Sequence, residues 1–526
     1  MARYYIRRMV RLLSDFQDRS DGVAVIDAVG DTTWGELNER SNRLIDVLRR
    51  AGVQPGDRVA LLAGNRREIE EVYVACASAG WLAVPINWHF APDEIAYVLE
   101  DSGSRAFIVD GELEAVATQA LALTPDAAPL CRLIMSSTPN TEFASYEDVL
   151  DAANPAEPDD QMLGGVMFYT SGTTGRPKGV KNTAFTLGAP PEILKLSAGA
   201  MASVGIPSPG LTLLCGPQYH SAQWAFSFLP LIAGTSVLMQ RKFIPEETLE
   251  LIDDYGVTNV HLVPTQFVRL LRVSPDAQDA FHGDALQLVL HGAAPCAPSV
   301  KRAMIDWFGP KISEYYGATE GGVVTIISSQ EWLDKPGSVG KAMPIVELKI
   351  VADDGAEAAR GSEGVIHVRN LLGTDFEYLN EPGKTAEAHP EPGFFTLGDI
   401  GFIDEDGYLF LSDRKIDMII SGGVNIYPAE IEAILIGHPA VLDAAVFGVP
   451  NDEFGEEVRA AVQLTPNTRY TPALDRDLKG LVRAKMAAYK VPKNIDVVAE
   501  MPRSDAGKLL KRELRAPFWE GTGRKI

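Results

Sequence analysis

Apolar residues recur at helical spacing from Thr33 to Ala51 (TWGELNERSNRLIDVLRRA), and Gly52 follows as a stop. The next apolar run, Arg58 to Ala63 (RVALLA), is short and continuous and predicts a buried strand, after which Glu68 to Ala79 returns to helical spacing. Further strands are predicted at Leu82 to Ile86, Ala106 to Val109, Thr212 to Leu214, Val257 to Val263 and Leu286 to Leu290, with helical stretches between several of them. Strands alternating with helices are the rhythm of an α/β domain. After about residue 336 the texture changes to alternating runs broken by Asp-Gly pairs, VELKIVADDGAEA, GVIHVRN and GFIDEDGYLFLSDR, which predict hairpins and a β-rich subdomain. From about Lys415 small α/β signals return (AEIEAIL, DAAVFGVPND, AAVQLT, LKGLVRAKMAAY), predicting a separate domain of roughly 110 residues with its boundary inside Asp413 to Asp417.

At 526 residues the chain exceeds one compact domain, and 46% hydrophobic residues suffice for large buried cores. Lys and Arg number 48 against 71 Asp and Glu, a net charge of -23, so general attraction to nucleic acid or anionic lipid is disfavoured. An anionic ligand therefore requires a local site. Four scattered cysteines, Cys76, Cys131, Cys215 and Cys296, form no CxxC pair and fit a reducing cytoplasm better than a disulfide framework or a zinc knuckle. The opening MARYYIRRMVRLL has the arginines but not the long apolar core of a secretory signal, and is expected to be a first helix. Leu196 to Gln240 contains no charged residue, yet Pro207, Pro209, Pro217 and Pro230 interrupt it too often for a membrane span. It reads as buried core or as the wall of an apolar pocket.

The strongest chemical signal is Phe168 to Val180, FYTSGTTGRPKGV. Gly172, Gly175 and Gly179 permit tight turns that bring backbone N–H groups close to a ligand, Ser171, Thr173 and Thr174 add hydroxyl donors, and Lys178 adds positive charge. That is the chemistry of a phosphate cradle. It matches neither the GxxxxGK[ST] loop nor a strand–GxGxxG–helix dinucleotide unit.

This string resembles the signature of the adenylate-forming superfamily, in its acyl-CoA synthetase branch. The resemblance recurs in order through His291-GAAPCAP, Glu314-YYGATEGG, Phe395-TLGDIG, Ser412-DRKIDMIISGGVNIYPAEIE and Met501-PRSDAGKLLKREL, and so spans essentially the whole chain. It implies an α/β fold with a large N-terminal adenylation domain over 1–412, a hinge at 413–417 and a small mobile α+β domain over 418–526. It also implies an ATP- and Mg²⁺-dependent ligase that joins a carboxylate to AMP and passes the acyl group to a thiol.

By the same resemblance, Lys508 bridges carboxylate and α-phosphate, Glu320 ligates Mg²⁺ with Thr170 as a second candidate ligand, and Thr319 joins them as a catalytic residue. The loop residues Thr170, Ser171, Gly172, Thr173, Thr174, Gly175 and Lys178 hold phosphates. Tyr316, with Gly317 and Ala318, is matched to one face of the adenine, and Gly292, Ala293 and Ala294 to the other. Asp399 and Arg414 are matched to the ribose, and Gly422 and Gly423 to the passage of a pantetheine arm. Ile416 stands where many members carry a pivot Asp or Lys, which leaves open an enzyme that hands its adenylate to a carrier protein or partner ligase instead of CoA.

Pro217 to Trp224 (PQYHSAQW) resembles the PxxHxxxW pattern of fatty acyl synthetases, with His220 near the reacting carboxylate and Trp224 and Gln223 in the acyl pocket. No acid stands in PQYHSAQWAFSFLP to hold an amino group, so a hydrophobic acid, fatty or bulky polycyclic or aromatic, is expected over an amino acid. A catalytically silent scaffold would have lost the lysine turn or the magnesium acid, and Lys508, Glu320 and Asp399 are all present. The expected partners are that small carboxylic acid and CoA or a carrier protein, with no nucleic acid and no membrane span; a homodimer is left open.

Overall fold

The computed structural model describes residues 20–127, 129–135, 142–170, 177–183, 192–352, 354–414, 417–421, 424–451, 454–503 and 509–520. The expected N-terminal helix lies outside these residues. Trp34–Arg50 is helical, started by a capping box in which Thr33 and Glu36 satisfy each other's backbone N–H groups. Its apolar stripe, Leu37, Leu44, Ile45 and Leu48, is buried against the Arg67–Ala79 helix. Gly80 ends that second helix in the left-handed conformation, at φ 76°.

The predicted strands form as Arg58–Leu62, Leu82–Pro85, Ala106–Asp110, Leu211–Leu214, Asn259–Leu262 and Leu288–His291. Two start later than their apolar runs suggest. Thr258 is taken up by Leu211, accepting from its N–H at 2.9 Å through the side-chain hydroxyl, so pairing begins only at Asn259. Gln287 likewise donates to the Thr258 carbonyl at 2.8 Å ahead of the strand at Leu288.

Arg58–Leu62, Leu82–Pro85 and Ala106–Asp110 belong to a sheet that is six-stranded and all-parallel among the described residues. A second sheet, of 13 strands among the described residues, has a parallel half, in which Leu211–Leu214, Asn259–Leu262, Leu288–His291 and Ile312–Ala318 are consecutive neighbours. At Ile312–Ala318 it switches hand: the next strand, Gly322–Ile327, returns antiparallel, and the β-rich subdomain continues from there. Carboxyl ends of parallel strands leave open crevices where the chain changes direction, a natural place for a ligand.

Phe395–Ile403 and Leu409–Arg414 make the hairpin expected around the Asp-Gly pair. The other Asp-Gly turn closes on a single bridge, Val351 to Glu357, because Val346–Val351 pairs in full with Gly364–Asn370 instead. Beyond residue 417 a separate sheet, of five strands among the described residues, carries the helices Pro428–Ile436 and Pro472–Lys485 on a core that includes Ile419, Ile431, Val446, Val462 and Leu478. It meets the rest of the chain through polar contacts: the Tyr427 hydroxyl donates to Glu363 at 2.7 Å and Arg272 to the Val441 carbonyl at 3.5 Å. Among the described residues no helix is long and apolar enough to cross a membrane.

Candidate active site

The parallel strands deliver their loops to one end of the 13-stranded sheet. After Leu211–Leu214 the chain runs through Pro217 to His220 and into the Ser221–Ala225 helix. The six-stranded sheet's neighbourhood pins this loop: Asn65 donates to the carbonyls of Gly216 at 2.9 Å and Gln240 at 3.0 Å, and the Tyr73 hydroxyl donates to Gln218 at 3.2 Å. His220 stands half-buried at the N-terminal boundary of the short helix, its ring centroid 4.4 Å from that of Tyr219.

One turn on, Gln223 and Trp224 point into the core. Trp224 is 5% exposed and packs on Phe168, Tyr73 and Phe228, with ring centroids 5.7, 6.4 and 5.3 Å away. Gln223 Nε2 lies 3.0 Å from His261 Nδ1, and His261 Nε2 lies 3.0 Å from the Tyr315 hydroxyl. Burial, helped by nearby His220, holds the His261 imidazole down to about 3, so it is neutral. The Gln223 amide then donates to Nδ1, and the Nε2–H donates to Tyr315. This buried relay escaped sequence reading; a lone His among the apolar residues of Asn259–Leu262 was its one trace.

The neighbouring strand ends bring the nucleotide motifs alongside. Gly292 follows Leu288–His291, and a Cβ there would stand 2.7 Å from the Tyr315 ring, so only glycine lets the strand end lie this close. Ala293 next to it adopts φ 66°, unusual for a residue with a side chain. Tyr316 donates its hydroxyl to Asp399 at 2.7 Å, and each residue is 8% exposed. Asp399 pairs with Arg414 across the hairpin, which brings the two ribose candidates into register. Between Tyr316 and Gly317 the ladder slips, and a Cβ on Gly317 would sit 2.1 Å from the Gly322 carbonyl oxygen. The tight return places Ala318, Thr319 and Glu320 at its tip, all half-buried.

Two contacts tie this tip to other motifs. Thr319 and Ser221 share a hydroxyl hydrogen bond of 2.7 Å, joining the acid turn to the His220 helix. The Tyr378 hydroxyl donates to Glu320 Oε1 at 3.0 Å, and Lys178 Nζ sits 4.9 Å from the centre of the Tyr378 ring. Lys178 and Thr170 are partners in a strand pair, so the glycine-rich loop springs from a hairpin whose two ends are fixed. Burial, then nearby Lys384, lower the Lys178 ammonium below its ordinary value, while Glu381 and Glu320 oppose the shift. Tyr378 had no sequence signal, because it joins Lys178 through the pairing of Phe376–Tyr378 with Lys178–Asn182.

The described residues thus bring together Thr170, Lys178, Glu320, Thr319 and His220 in one chain of contacts, with Tyr316 at the start of the same turn, Asp399 hydrogen-bonded to Tyr316 and Gly292 packed on Tyr315. Ser171, Gly172, Thr173, Thr174 and Gly175 lie outside the described residues, as do Gly422, Gly423, Ile416 and Lys508. Their flanks are defined: Ile419–Ser421 and Val424–Ile426 form the hairpin around the Gly-Gly pair, and an Arg503–Leu509 bridge brackets the lysine turn. No group of three or more His, Cys, Asp or Glu able to hold a metal occurs among the described residues. The hard oxygens of Glu320 and Thr170 suit a magnesium ion that takes its remaining ligands from phosphate and water.

Comparison with known proteins gives the family of the chain. The family model described as AMP-binding enzyme matches residues 14–372, and that of the AMP-binding enzyme C-terminal domain matches 430–508. A fatty acid–[acyl-carrier-protein] ligase, ScoC of Streptomyces coeruleorubidus, is 31% identical over 94% of this chain and 93% of its own. A feruloyl-CoA synthase of Amycolatopsis is 34% identical over 92% and 94%. Among solved structures, o-succinylbenzoate CoA synthetase of Bacillus subtilis with its acyl-adenylate intermediate superposes with a TM-score of 0.81 at 27% identity, covering 96% of this chain and 97% of that one. Motifs, fold and relatives converge: the chain belongs to the AMP-binding enzyme family, in the acyl-CoA synthetase branch of the adenylate-forming superfamily, and is an acid–thiol ligase.

Proposed function

We propose that the protein adenylates an apolar carboxylic acid, fatty or bulky polycyclic or aromatic, with ATP and transfers the acyl group to CoA. The observation that carries this reading is the Ser221–Thr319 hydrogen bond, which sets an apolar wall and a phosphate-handling turn against each other. In the first half-reaction a carboxylate oxygen attacks the α-phosphorus, and the bond to pyrophosphate breaks with its electron pair leaving on pyrophosphate. Both reactants are anions. Two unit charges at about 4 Å repel by roughly 4 kcal/mol at an effective dielectric near 20, so positioned cations and donors are required.

In this reading Lys178 and the glycine-rich loop hold phosphates, and Lys508 bridges the carboxylate to the α-phosphate. Tyr316 and Gly292 to Ala294 clasp the adenine, while Asp399 accepts from the ribose and Arg414 adds a second contact. His220 lies by the carboxylate, and Trp224 and Gln223 border the acyl chain. Glu320 with Thr170 would hold Mg²⁺, whose chemistry is to neutralise phosphate charge. In the second half-reaction the CoA thiol loses its proton, its sulfur bonds the acyl carbon, and AMP leaves with the former carboxylate oxygen. Rotation of 418–526 about 413–417 would exchange the lysine turn for the Gly422–Gly423 passage between the two steps. A cytoplasmic location accords with four free cysteines.

A second reading, transfer to a carrier protein, is favoured by Ile416 at the pivot and by the name of the 31% identical relative from Streptomyces coeruleorubidus. The test is a panel of carboxylic acids of varied length and ring content with ATP, Mg²⁺ and CoA, following both pyrophosphate and acyl-CoA. Formation of both supports the first reading, pyrophosphate without acyl-CoA supports the second, and no pyrophosphate with any acid overturns both.

A further inference from the structure

The Arg67–Ala79 helix turns Glu70 and Tyr73 onto the loop that carries His220. Glu70 is 0% exposed and Gln218 is 3% exposed. The Gln218 amide nitrogen commits both N–H groups, to Glu70 Oε1 at 2.7 Å and to Ser227 Oγ at 2.6 Å. Two acceptors remain, Glu70 Oε2 and Gln218 Oε1, buried and without a hydrogen-bond partner among the described residues.

The adjacent acid shows what a purely structural carboxylate looks like on this helix. Glu71 receives Arg40 Nε at 2.6 Å and the Tyr146 hydroxyl at 2.8 Å, so both of its oxygens are engaged. Glu70 has no such closure: one of its oxygens is unmet although the carboxyl group is fully buried. Its surroundings are aromatic: Tyr73, one turn along, has its ring centroid 6.4 Å from that of Trp224 and 5.5 Å from that of Phe228. A polar pair is thus set among aromatic side chains.

We propose that Glu70 and Gln218 form a polar recognition point in the acyl pocket, complementary to a carboxylic acid that carries a hydrogen-bond donor, a hydroxyl or an amine, on its apolar body away from the reacting carboxylate. This rests on reading Pro217 to Trp224 as the acyl-pocket wall. Burial raises the Glu70 carboxyl to about 7, so near neutral pH it can meet an ammonium as a carboxylate or a hydroxyl in either protonation state. An acid with no donor leaves both oxygens unmet, which discriminates against it more sharply than shape alone.

Pyrophosphate release by the full chain with ATP and Mg²⁺ tests this, using three series matched in length: alkanoic, ω-hydroxyalkanoic and ω-aminoalkanoic acids. The wild type should favour one substituted series over alkanoic acids by at least about tenfold in kcat/KM, and Glu70→Leu should collapse that ratio. Glu70→Gln distinguishes the donors, keeping a preference for hydroxyl but losing one for amine. If Glu70→Leu does not fold, Gln218→Met removes the other acceptor and carries the same comparison. An unchanged ratio in the apolar variant, or a wild type that prefers alkanoic acids at every length, overturns the proposal while leaving adenylation standing. Absence of pyrophosphate from the wild type with every acid refutes the pocket reading itself.

Discussion

The hydroxyl of Tyr316 donates to the carboxylate of Asp399 across 2.7 Å, so the aromatic face matched to the base and the acid matched to the sugar are held as one unit. Tyr316→Phe keeps the ring and removes the donor. The KM for ATP should rise about three- to tenfold with the KM for the acid unchanged, and the protein should lose about 1–2 kcal/mol of stability because a buried carboxylate has lost a partner. Steady-state kinetics and denaturant unfolding measure the two effects separately.

Lys508→Ala removes the charge proposed to join the two anions. Adenylate formation should fall by at least about a hundredfold, read as ATP–pyrophosphate exchange, while thermal unfolding stays close to wild type. Exchange at the wild-type rate would remove Lys508 from the first half-reaction.

Trp224 stacks on Phe228 and edges against Phe168 and Tyr73, so truncation combines a packing loss with any change in substrate range. Trp224→Ala should cost about 3–5 kcal/mol. Trp224→Phe, which retains a ring, should cost less and should shift the preferred acyl length in the pyrophosphate-release panel. The same length profile in both variants as in the wild type would confine Trp224 to the core.

Glu70 makes stability depend on pH in a defined direction. Burial raises its folded-state pKa from the ordinary 4.5 to about 7, so between those values the folded chain holds a proton that the unfolded chain has lost. Its contribution is fully present below about 4.5 and is lost as pH rises to about 7, amounting to roughly 3 kcal/mol. Glu70→Gln lacks this titration, so its stability relative to wild type should climb through that window and level off above it. Chemical denaturation at stepped pH reads the difference directly.

Much of the fold was legible in local pattern. The helical spacing from Thr33 to Ala51 becomes the Trp34–Arg50 helix, the continuous apolar run at Arg58–Leu62 becomes a buried parallel strand, and Asp-Gly before Tyr408 marks a hairpin. The motif residues were legible as a set, because each string is short and contiguous. What could not be read was adjacency created by sheet pairing. Tyr378 reaches Glu320 and Lys178 only because Phe376–Tyr378 pairs with Lys178–Asn182, and His261 meets Gln223 and Tyr315 only across neighbouring strands. Glu70 was hidden for another reason: the helix is buried on every side from Glu68 to Ala79, whereas in the sequence an acid beside Glu68 and Glu71 reads as part of a solvated face.

The hydroxyl contact between Ser221 and Thr319 has a kinetic meaning. On the proposed reading, an acid too broad for the space beside His220 would have to displace the Ser221–Ala225 helix, and that helix is fastened to the turn bearing Glu320. Misfit at the proposed acyl end would then be conveyed to the proposed phosphate end, so poor substrates should register as slow turnover more than as weak occupancy. Selectivity of this kind survives saturation: raising the concentration of a wrong acid fills the enzyme without restoring its speed.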